Sequence, residues 1–169
     1  MAQNDSTIQR FNDSTIQRFN DSTIQRFNDS TMATLKLEIV TPDAKVYSED
    51  VEMVTLPGTE GEMGIYPQHV PLMTQIVPGE IVVRKGGEDT FLAVGEGFVE
   101  ITGDRVAILA DMAIRAENID EAQAEDARRR AEARLAEHLN DEESATVHAA
   151  LAKSMAQLRV KRHRAQHHH

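Results

Sequence analysis

The amino-acid sequence predicts a β + α protein, in which an N-terminal antiparallel β-sandwich of about eight to ten short strands precedes a C-terminal antiparallel two-helix hairpin. All five prolines and all nine glycines lie between residues 42 and 103, whereas residues 104–169 contain neither. Because glycine and proline interrupt regular structure, a turn-rich half precedes an uninterrupted one. The hydrophobic period also changes at this boundary, from two residues to about 3.6.

Short alternating apolar runs predict the strands. Leu35, Leu37 and Ile39 alternate with polar residues, as in a half-buried strand, and the next run, 51–56, ends at the turn Pro57-Gly58. Later runs follow at short intervals: 80–84, 90–94, 98–101 and 105–110. Gly86-Gly87 and Gly103-Asp104 separate neighbouring runs, as hairpin connections require.

Two amphipathic helices are predicted after the strands. Asp120 is a candidate N-cap with Gln123 three residues later, and Asn140-Asp141 offers a second cap. The first apolar stripe consists of Ala124, Ala127, Ala131, Leu135 and Leu139. The second consists of Val147, Ala150, Leu151, Ser154, Met155 and Leu158. Alanine-rich seams bury little apolar area, so we expect a hairpin that undocks easily.

The N-terminal segment does not resemble a folded domain. The octapeptide NDSTIQRF occurs three times in residues 4–27, and its period fits neither a helix nor a strand. We expect residues 1–31 to be a disordered leader from a misassigned start, with Met32 as the true start, or else a genuine disordered extension. The expected domains are a sandwich over 32–115, a hairpin over 116–164 and a tail over 165–169. The closing histidines, 167–169, are either a tag remnant or a native tail.

Composition excludes several classes of function. The chain has no Cys and no Trp, and its formal net charge is −10. Disulfides, zinc–thiolate centres and cysteine nucleophiles are therefore excluded, and nucleic acid is not an expected partner. No apolar run approaches the roughly 20 residues of a membrane helix, so direct membrane insertion is not expected.

Charge is segregated along the chain. Residues 145–169 contain five Lys or Arg and no acid, whereas residues 32–144 contain 24 acids and 10 bases, a net −14. A basic end on an acidic protein indicates an acidic partner surface. The alternative is that these cations simply pair with the negative C-terminal end of a helix.

No motif predicts catalysis, a metal or a cofactor. The glycine-rich segment 58–64 lacks the spacing of a dinucleotide fingerprint, and no P-loop occurs. His69 has no recognisable nucleophile elbow beside it, and Glu60 and Glu62 are interpreted as solvated acids of a turn. The sequence alone therefore predicts a protein that is not itself an enzyme.

The segments taken together resemble one family. Residues 56–72, LPGTEGEMGIYPQHVPL, are similar to the signature segment of the epsilon subunit of F-type ATP synthases. Five more segments fit the same pattern in the same order: 76–81, 94–101, 106–111, 119–122 and 151–160. The resemblance extends from about Thr34 to Arg162.

This resemblance implies a non-catalytic central-stalk rotor subunit, which couples proton-driven rotation of the c ring to ATP synthesis and inhibits ATP hydrolysis through its C-terminal helices. The implied partners are the gamma subunit, the c-subunit ring and the alpha/beta catalytic head. The implied location is peripheral, on the cytoplasmic face of a bacterial inner membrane. The competing hypotheses are a stand-alone β-sandwich binding module with a helical oligomerisation tail and, third, a small hydrolase that uses His69.

Site residues carried over from the family fall into two sets. The candidate contacts with the c ring or gamma are Gly61, Glu62, Gly64 and His69. The candidate basic residues of the inhibitory helices are Arg128, Arg129, Arg134, Lys153 and Arg159.

The sequence departs from the family at two points. Gln123 stands where the nucleotide-binding motif of some members has arginine, and a neutral amide cannot pair with phosphate charge. Asp120 alone remains of that motif and is interpreted as a helix cap. Glu96 occupies a position beside Gly97 where the family often has a second glycine, which affects one turn.

Overall fold

A computed structural model describes residues 33–137 and 139–167. The predicted leader, His168 and His169 lie outside the described residues. The ten strands are β1 Leu35–Val40, β2 Lys45–Val51, β3 Met53–Gly58, β4 Gly61–Ile65, β5 Leu72–Ile76, β6 Gly79–Lys85, β7 Glu88–Val94, β8 Gly97–Ile101, β9 Arg105–Ala110 and β10 Ala113–Arg115. A 3₁₀ turn at Ala116–Asn118 leads to helices α1, Glu121–Leu135, and α2, Asp141–His167.

The strands form one continuous hydrogen-bonded path that folds into the sandwich. Their order is β10-β7-β6-β3-β5-β8-β9-β1-β2, and β4 pairs with β3 outside this path. Eight of the nine described strand pairs are antiparallel, and four of these join consecutive strands, such as β6 with β7. The first strand is different, because β1 lies between β2 and β9 and runs parallel to β9, with Leu37 opposite Val106.

The inward-facing side of the strands forms the main core. Leu35, Leu37 and Ile39 are all at most 1% exposed, which confirms the alternation expected from the sequence. They pack with apolar side chains from the other strands, including Leu56, Ile81 and Ile108 in one cluster.

A second, smaller cluster joins the sandwich to the helices. Phe91 and Ala93 of β7 pack there with Ala116, Ile119 and Val160 of the helical part. Val160 is completely buried. The hairpin is therefore attached to the sandwich through the C-terminal half of α2.

Both predicted helix caps are present. The Asp120 carboxylate accepts a hydrogen bond from the Gln123 backbone N–H at 3.1 Å. Asn140 accepts one from the Glu143 N–H at 2.8 Å, and the Glu143 carboxylate accepts one from the Asn140 N–H at 3.3 Å, which completes a capping box.

The predicted apolar stripes include the residues that are buried where the two helices meet. They do not describe the surface of α2 that packs on the sandwich. Ala124 and Ala131 of α1 are buried, as are Ser154 and Leu158 of α2. Ala150 and Met155, both expected in the stripe, are exposed, whereas Ala156 and Val160 are buried although no stripe contained them. The reason is that α2 packs on two neighbours, α1 and the sandwich, so a single stripe cannot describe its buried surface.

The first helix is shorter than its predicted apolar stripe. α1 ends at Leu135, so Leu139 lies in the five-residue connection and not in the helix. None of the helices in the described part of the chain is both long and apolar enough to cross a membrane.

Candidate functional surfaces

Helix α2 lies against β6 and β7, and four polar contacts accompany the apolar cluster. Lys153 pairs with Asp111, which follows β9. The His163 Nδ1 lies 2.8 Å from the Glu80 Oε1, and an Arg164 nitrogen lies 3.6 Å from a Glu117 carboxylate oxygen. The Lys161 Nζ donates to the Ala116 carbonyl at 3.3 Å. The Lys153–Asp111 and His163–Glu80 contacts hold α2 on the sandwich and would break if α2 left it, whereas the contacts of Arg164 and Lys161 join α2 to the 3₁₀ turn that precedes α1.

Gly95 makes room for the Lys153–Asp111 ion pair. A Cβ at position 95 would lie 2.0 Å from the Asp111 Oδ1 and 3.3 Å from the Lys153 Cε. Any larger residue would displace the carboxylate from its present place.

Three of the predicted basic residues are paired within the hairpin itself. The Arg128 guanidinium lies 2.6 Å from Glu125 and 3.5 Å from Glu132, and the hydrogen bond that it donates to Glu125 raises the pKa of Arg128 above the ordinary value. Arg129 lies 3.3 Å from Asp126, and Arg134 lies 3.9 Å from Glu137. Exposed pairs of this kind contribute little, so these cations remain usable for a stronger acidic partner.

Arg159 and Arg128 share a groove with residues of the sandwich. The groove has a volume of about 530 Å³, and its lining includes Glu62, Glu80 and Arg162. One predicted contact residue, Glu62, is therefore brought next to two of the predicted basic residues. Sequence spacing alone did not indicate this arrangement.

The predicted contact residues are spread over two loops. Gly61 begins β4 with a φ of 127°, which favours glycine, and Glu62 follows it on the exposed side. Gly64 lies where a Cβ would come 3.2 Å from the Met53 side chain. His69 lies beyond the other end of β4, with its Nδ1 2.8 Å from the Val70 carbonyl oxygen. Glu62 and His69 thus occupy different surfaces, separated by the length of β4.

An exposed apolar row lies on three adjoining strands. Val40, Leu109 and Phe98 are direct neighbours on β1, β9 and β8, and they are 36%, 60% and 58% exposed. A cavity of about 470 Å³ opens beside Val40 and Leu109. We call these three residues the outer apolar row. The sequence did not predict this row, because its three residues become neighbours only through the parallel pairing of β1 with β9 and the antiparallel pairing of β9 with β8.

Within residues 33–137 and 139–167, no group of three or more His, Asp or Glu side chains is arranged to hold a metal ion. The Asp120 carboxylate is engaged in capping α1.

Comparison with known proteins decides the family. A family model described as ATP synthase, Delta/Epsilon chain, beta-sandwich domain matches residues 34–116, and one described as ATP synthase, Delta/Epsilon chain, long alpha-helix domain matches residues 117–162. The chain belongs to the ATP synthase delta/epsilon chain family. The predicted resemblance and the predicted sandwich-then-hairpin architecture are both confirmed.

Curated relatives carry the name ATP synthase epsilon chain. The protein from Laribacter hongkongensis is 41% identical over 131 residues, which cover 76% of this chain and 94% of that protein. The protein from Dehalococcoides mccartyi strain BAV1 is 46% identical over 137 residues, which cover 80% and 98%.

Solved structures share the fold of the delta/epsilon chain. A chain of the Euglena gracilis mitochondrial ATP synthase, in a structure of OSCP, F1 and c-ring, matches with a TM-score of 0.64 and 24% identity over 73% of this chain and 79% of that one. A chain of the Tetrahymena thermophila mitochondrial ATP synthase central stalk and c-ring matches with a TM-score of 0.53 and 12% identity over 73% and 96%.

Proposed function

We propose that this delta/epsilon chain is the epsilon subunit of a bacterial F-type ATP synthase and works as a non-catalytic part of the central stalk, coupling c-ring rotation to ATP synthesis. The observation that carries the proposal is the outer apolar row. Large exposed apolar side chains on adjoining rigid strands are typical of a protein-binding surface. A subunit that transmits torque needs such packing surfaces more than it needs a reactive centre.

The proposed partners follow from the two kinds of surface. The gamma subunit packs on the outer apolar row. The c-subunit ring meets the two loops that flank β4, with Glu62 and His69 as polar contacts and with Gly61 and Gly64 shaping the β3–β4 hairpin. The protein then sits peripherally on the cytoplasmic face of the inner membrane. The proposed division is a sandwich over 32–115, a hairpin over 116–164 and a tail over 165–169, although residues 165–167 continue helix α2.

Co-purification with gamma tests the stalk assignment. The full chain and the gamma subunit of the same organism are expected to elute together from size exclusion as a one-to-one complex. Leu109→Asp places a charge in the middle of the outer apolar row, so at least a tenfold loss of affinity is expected. Met155→Asp, on an exposed part of α2, is the matched control and should bind gamma like the unmodified chain.

The contrary result would favour the stand-alone binding module. If the chain and gamma elute separately at low and at moderate salt while the chain associates with itself, the stalk assignment is wrong. Equal losses from Leu109→Asp and Met155→Asp would instead mean that the outer apolar row is not the gamma-binding surface.

We further propose that the hairpin inhibits ATP hydrolysis when it leaves the sandwich and reaches the alpha/beta head. The geometry supports this, because α2 is held by one small apolar cluster and a few polar contacts. Arg128, Arg129 and Arg134 pair with acids three or four residues away in the chain, and Arg159 lines an open groove. Release would also free Lys153 for the acidic surface of the head.

A substitution that weakens the contact between the hairpin and the sandwich tests this inhibition. Asp111→Ala removes the partner of Lys153 without changing the hairpin itself. A larger fraction of hairpins should then leave the sandwich, and the assembled enzyme should hydrolyse ATP more slowly. Asp43→Ala, in the exposed β1–β2 turn, is the control and should leave the rate unchanged. A rate that stays the same, or rises, in Asp111→Ala would contradict the proposal.

A further inference from the structure

Two histidines near the end of α2 face each other at the surface of the sandwich. His163 and His167 are four residues apart, so they lie on the same side of the helix one turn apart. Their Nε2 atoms are 3.0 Å apart, and their ring centroids are 4.7 Å apart. This i, i+4 spacing is the one by which paired helical histidines bind zinc.

The distance between the two nitrogens suits a shared metal ion. Zinc–nitrogen bonds are about 2.0–2.1 Å long, so two imidazoles at neighbouring corners of a tetrahedron hold their nitrogens about 3.3–3.4 Å apart. The observed separation is 3.0 Å, which is about 0.3–0.4 Å shorter. Small rotations of the two side chains would therefore let both nitrogens bind one metal ion that lies beside the line joining them.

Glu80 prepares His163 for this role. The carboxylate can only accept a hydrogen bond, so the proton of the neutral His163 ring lies on Nδ1 and is donated to the Glu80 Oε1 at 2.8 Å. The lone pair of Nε2 is then directed away from Glu80, towards His167. A carboxylate behind a histidine is the usual outer partner of a metal-ligating ring, because it fixes the tautomer and raises the basicity of the ligand.

The surroundings hold both rings and leave room for further ligands. The Phe91 ring lies 4.9 Å from the His163 ring and 5.4 Å from the His167 ring, between centroids. His167 also borders a cavity of about 490 Å³ whose lining includes Glu88, Asp89 and Glu117 together with Arg115 and Arg164. Water molecules in this cavity can complete the coordination.

We infer that His163 and His167 form a binding site for a borderline divalent transition-metal ion such as Zn²⁺, with Glu80 as the positioning residue. Imidazole nitrogens select zinc, nickel and copper over magnesium and calcium. The site is complete only when α2 lies on the sandwich, because Glu80 belongs to β6. Bound metal therefore stabilises the docked hairpin by mass action. This inference does not depend on the proposed stalk function.

Calorimetric titration with ZnCl₂ tests the site, using the full chain in which His168 and His169 are both replaced by alanine. One equivalent of Zn²⁺ should bind, and MgCl₂ should give no signal. His163→Ala and His167→Gln should each weaken binding at least tenfold. Glu80→Gln should weaken it about tenfold, the usual effect of removing an outer carboxylate. His148→Ala, an exposed histidine elsewhere on α2, is the control and should bind like the parent.

A second measurement separates ligation from a structural effect of the substitutions. With one equivalent of CuCl₂, the electron paramagnetic resonance spectrum of the parent should show coupling to two imidazole nitrogens, and His167→Gln should show one. Zn²⁺ should also slow amide exchange in α2. The inference is overturned if Zn²⁺ binding survives both single substitutions, or if it disappears once His168 and His169 are replaced.

Discussion

At the scale of single residues, one side chain adopts a backbone conformation that suits glycine. Gln68 has a φ of 66°, and it is the only non-glycine residue with positive φ in the described part of the chain. Its backbone N–H donates to the Gly103 carbonyl at 2.6 Å, so the turn is fixed against the β8–β9 hairpin. The cost of this conformation is about 1 kcal/mol for a residue with a Cβ.

Replacing Gln68 with glycine should therefore stabilise the protein. We expect Gln68→Gly to raise the free energy of unfolding by about 0.5–1 kcal/mol in urea titration, because the strain is relieved. Gln75→Gly, in the middle of β5, is the matched control and should lower the free energy of unfolding by a similar amount. A loss of stability in both variants would show that the turn carries no strain.

Among single residues, the sequence predicted the helix caps but not the relative positions of Glu62 and His69. Asp120 and Asn140 cap the two helices as predicted, because capping depends on neighbours three residues away. The separation of Glu62 from His69 was not predictable, because it depends on how β4 is placed in the sheet. The site roles of both residues remain predictions.

At the scale of elements, α1 and α2 differ in what holds them. α1 packs mainly against α2 through Ala124 and Ala131, whereas α2 also contacts β6 and β7. The small alanine side chains bury little apolar area, so the hairpin as a whole depends on the contact of α2 with the sandwich. The sequence predicted the weak seam between the helices. It did not predict that Val160 would fasten α2 to Phe91, since that contact joins residues far apart in the chain.

Val160→Ala should loosen both helices together. Removing two carbon atoms from a fully buried side chain weakens docking by about 2 kcal/mol. Hydrogen exchange should then become faster along α1 and α2 while the core strands keep their protection. Val147→Ala, near the start of α2 and away from the sandwich cluster, is the control and should leave exchange in the second half of α2 unchanged. Uniformly faster exchange in the strands as well would contradict an independently moving hairpin.

At the scale of the whole molecule, ion pairs tie distant strands together. The Glu38 carboxylate on β1 lies 2.9 Å from the Lys45 Nζ on β2 and 2.7 Å from an Arg105 nitrogen on β9. These hydrogen bonds, from Lys45 and then Arg105, hold the pKa of Glu38 below its ordinary value of 4.5. The hydrogen bond from Lys85 likewise lowers the pKa of Glu49 and joins β6 to β2.

The depressed pKa of Glu38 makes stability depend on pH in one direction. A carboxylate whose pKa is lower in the folded state stabilises the fold fully above its unfolded pKa, and this contribution disappears as the pH falls through the folded pKa. The free energy of unfolding should therefore fall as the pH is lowered from about 5 towards 3. Glu38→Gln should show a shallower decline in urea titrations over this range. A decline as steep as that of the parent would mean that Glu38 does not contribute.

The strands of the sandwich were easier to predict from the sequence than their pairing in the sheet. Alternation and turn residues predicted the sandwich and six of its ten described strands, because both signals are local. They did not locate β2, β4, β5 and β10, and Pro57-Gly58, expected as a turn, forms the end of β3. They could not predict that β1 enters the sheet between β2 and β9, since nothing near Leu35 or Arg105 in the chain specifies that pairing.

The position of β1 has a consequence for the way the protein is made. Of the ten described strands, β1 leaves the ribosome before the other nine, yet its parallel neighbour β9 is completed only at Ala110. Until β9 has been synthesised, the edge of β1 that pairs with β9 has no hydrogen-bonding partner. The residues of this β1–β9 pairing lie about as far apart in the sequence as the two ends of the sandwich domain. Pairings this distant form slowly and leave an open strand edge exposed to other chains. The growing chain is therefore most vulnerable to misassociation before β9 has been synthesised, and it can close its sandwich only afterwards.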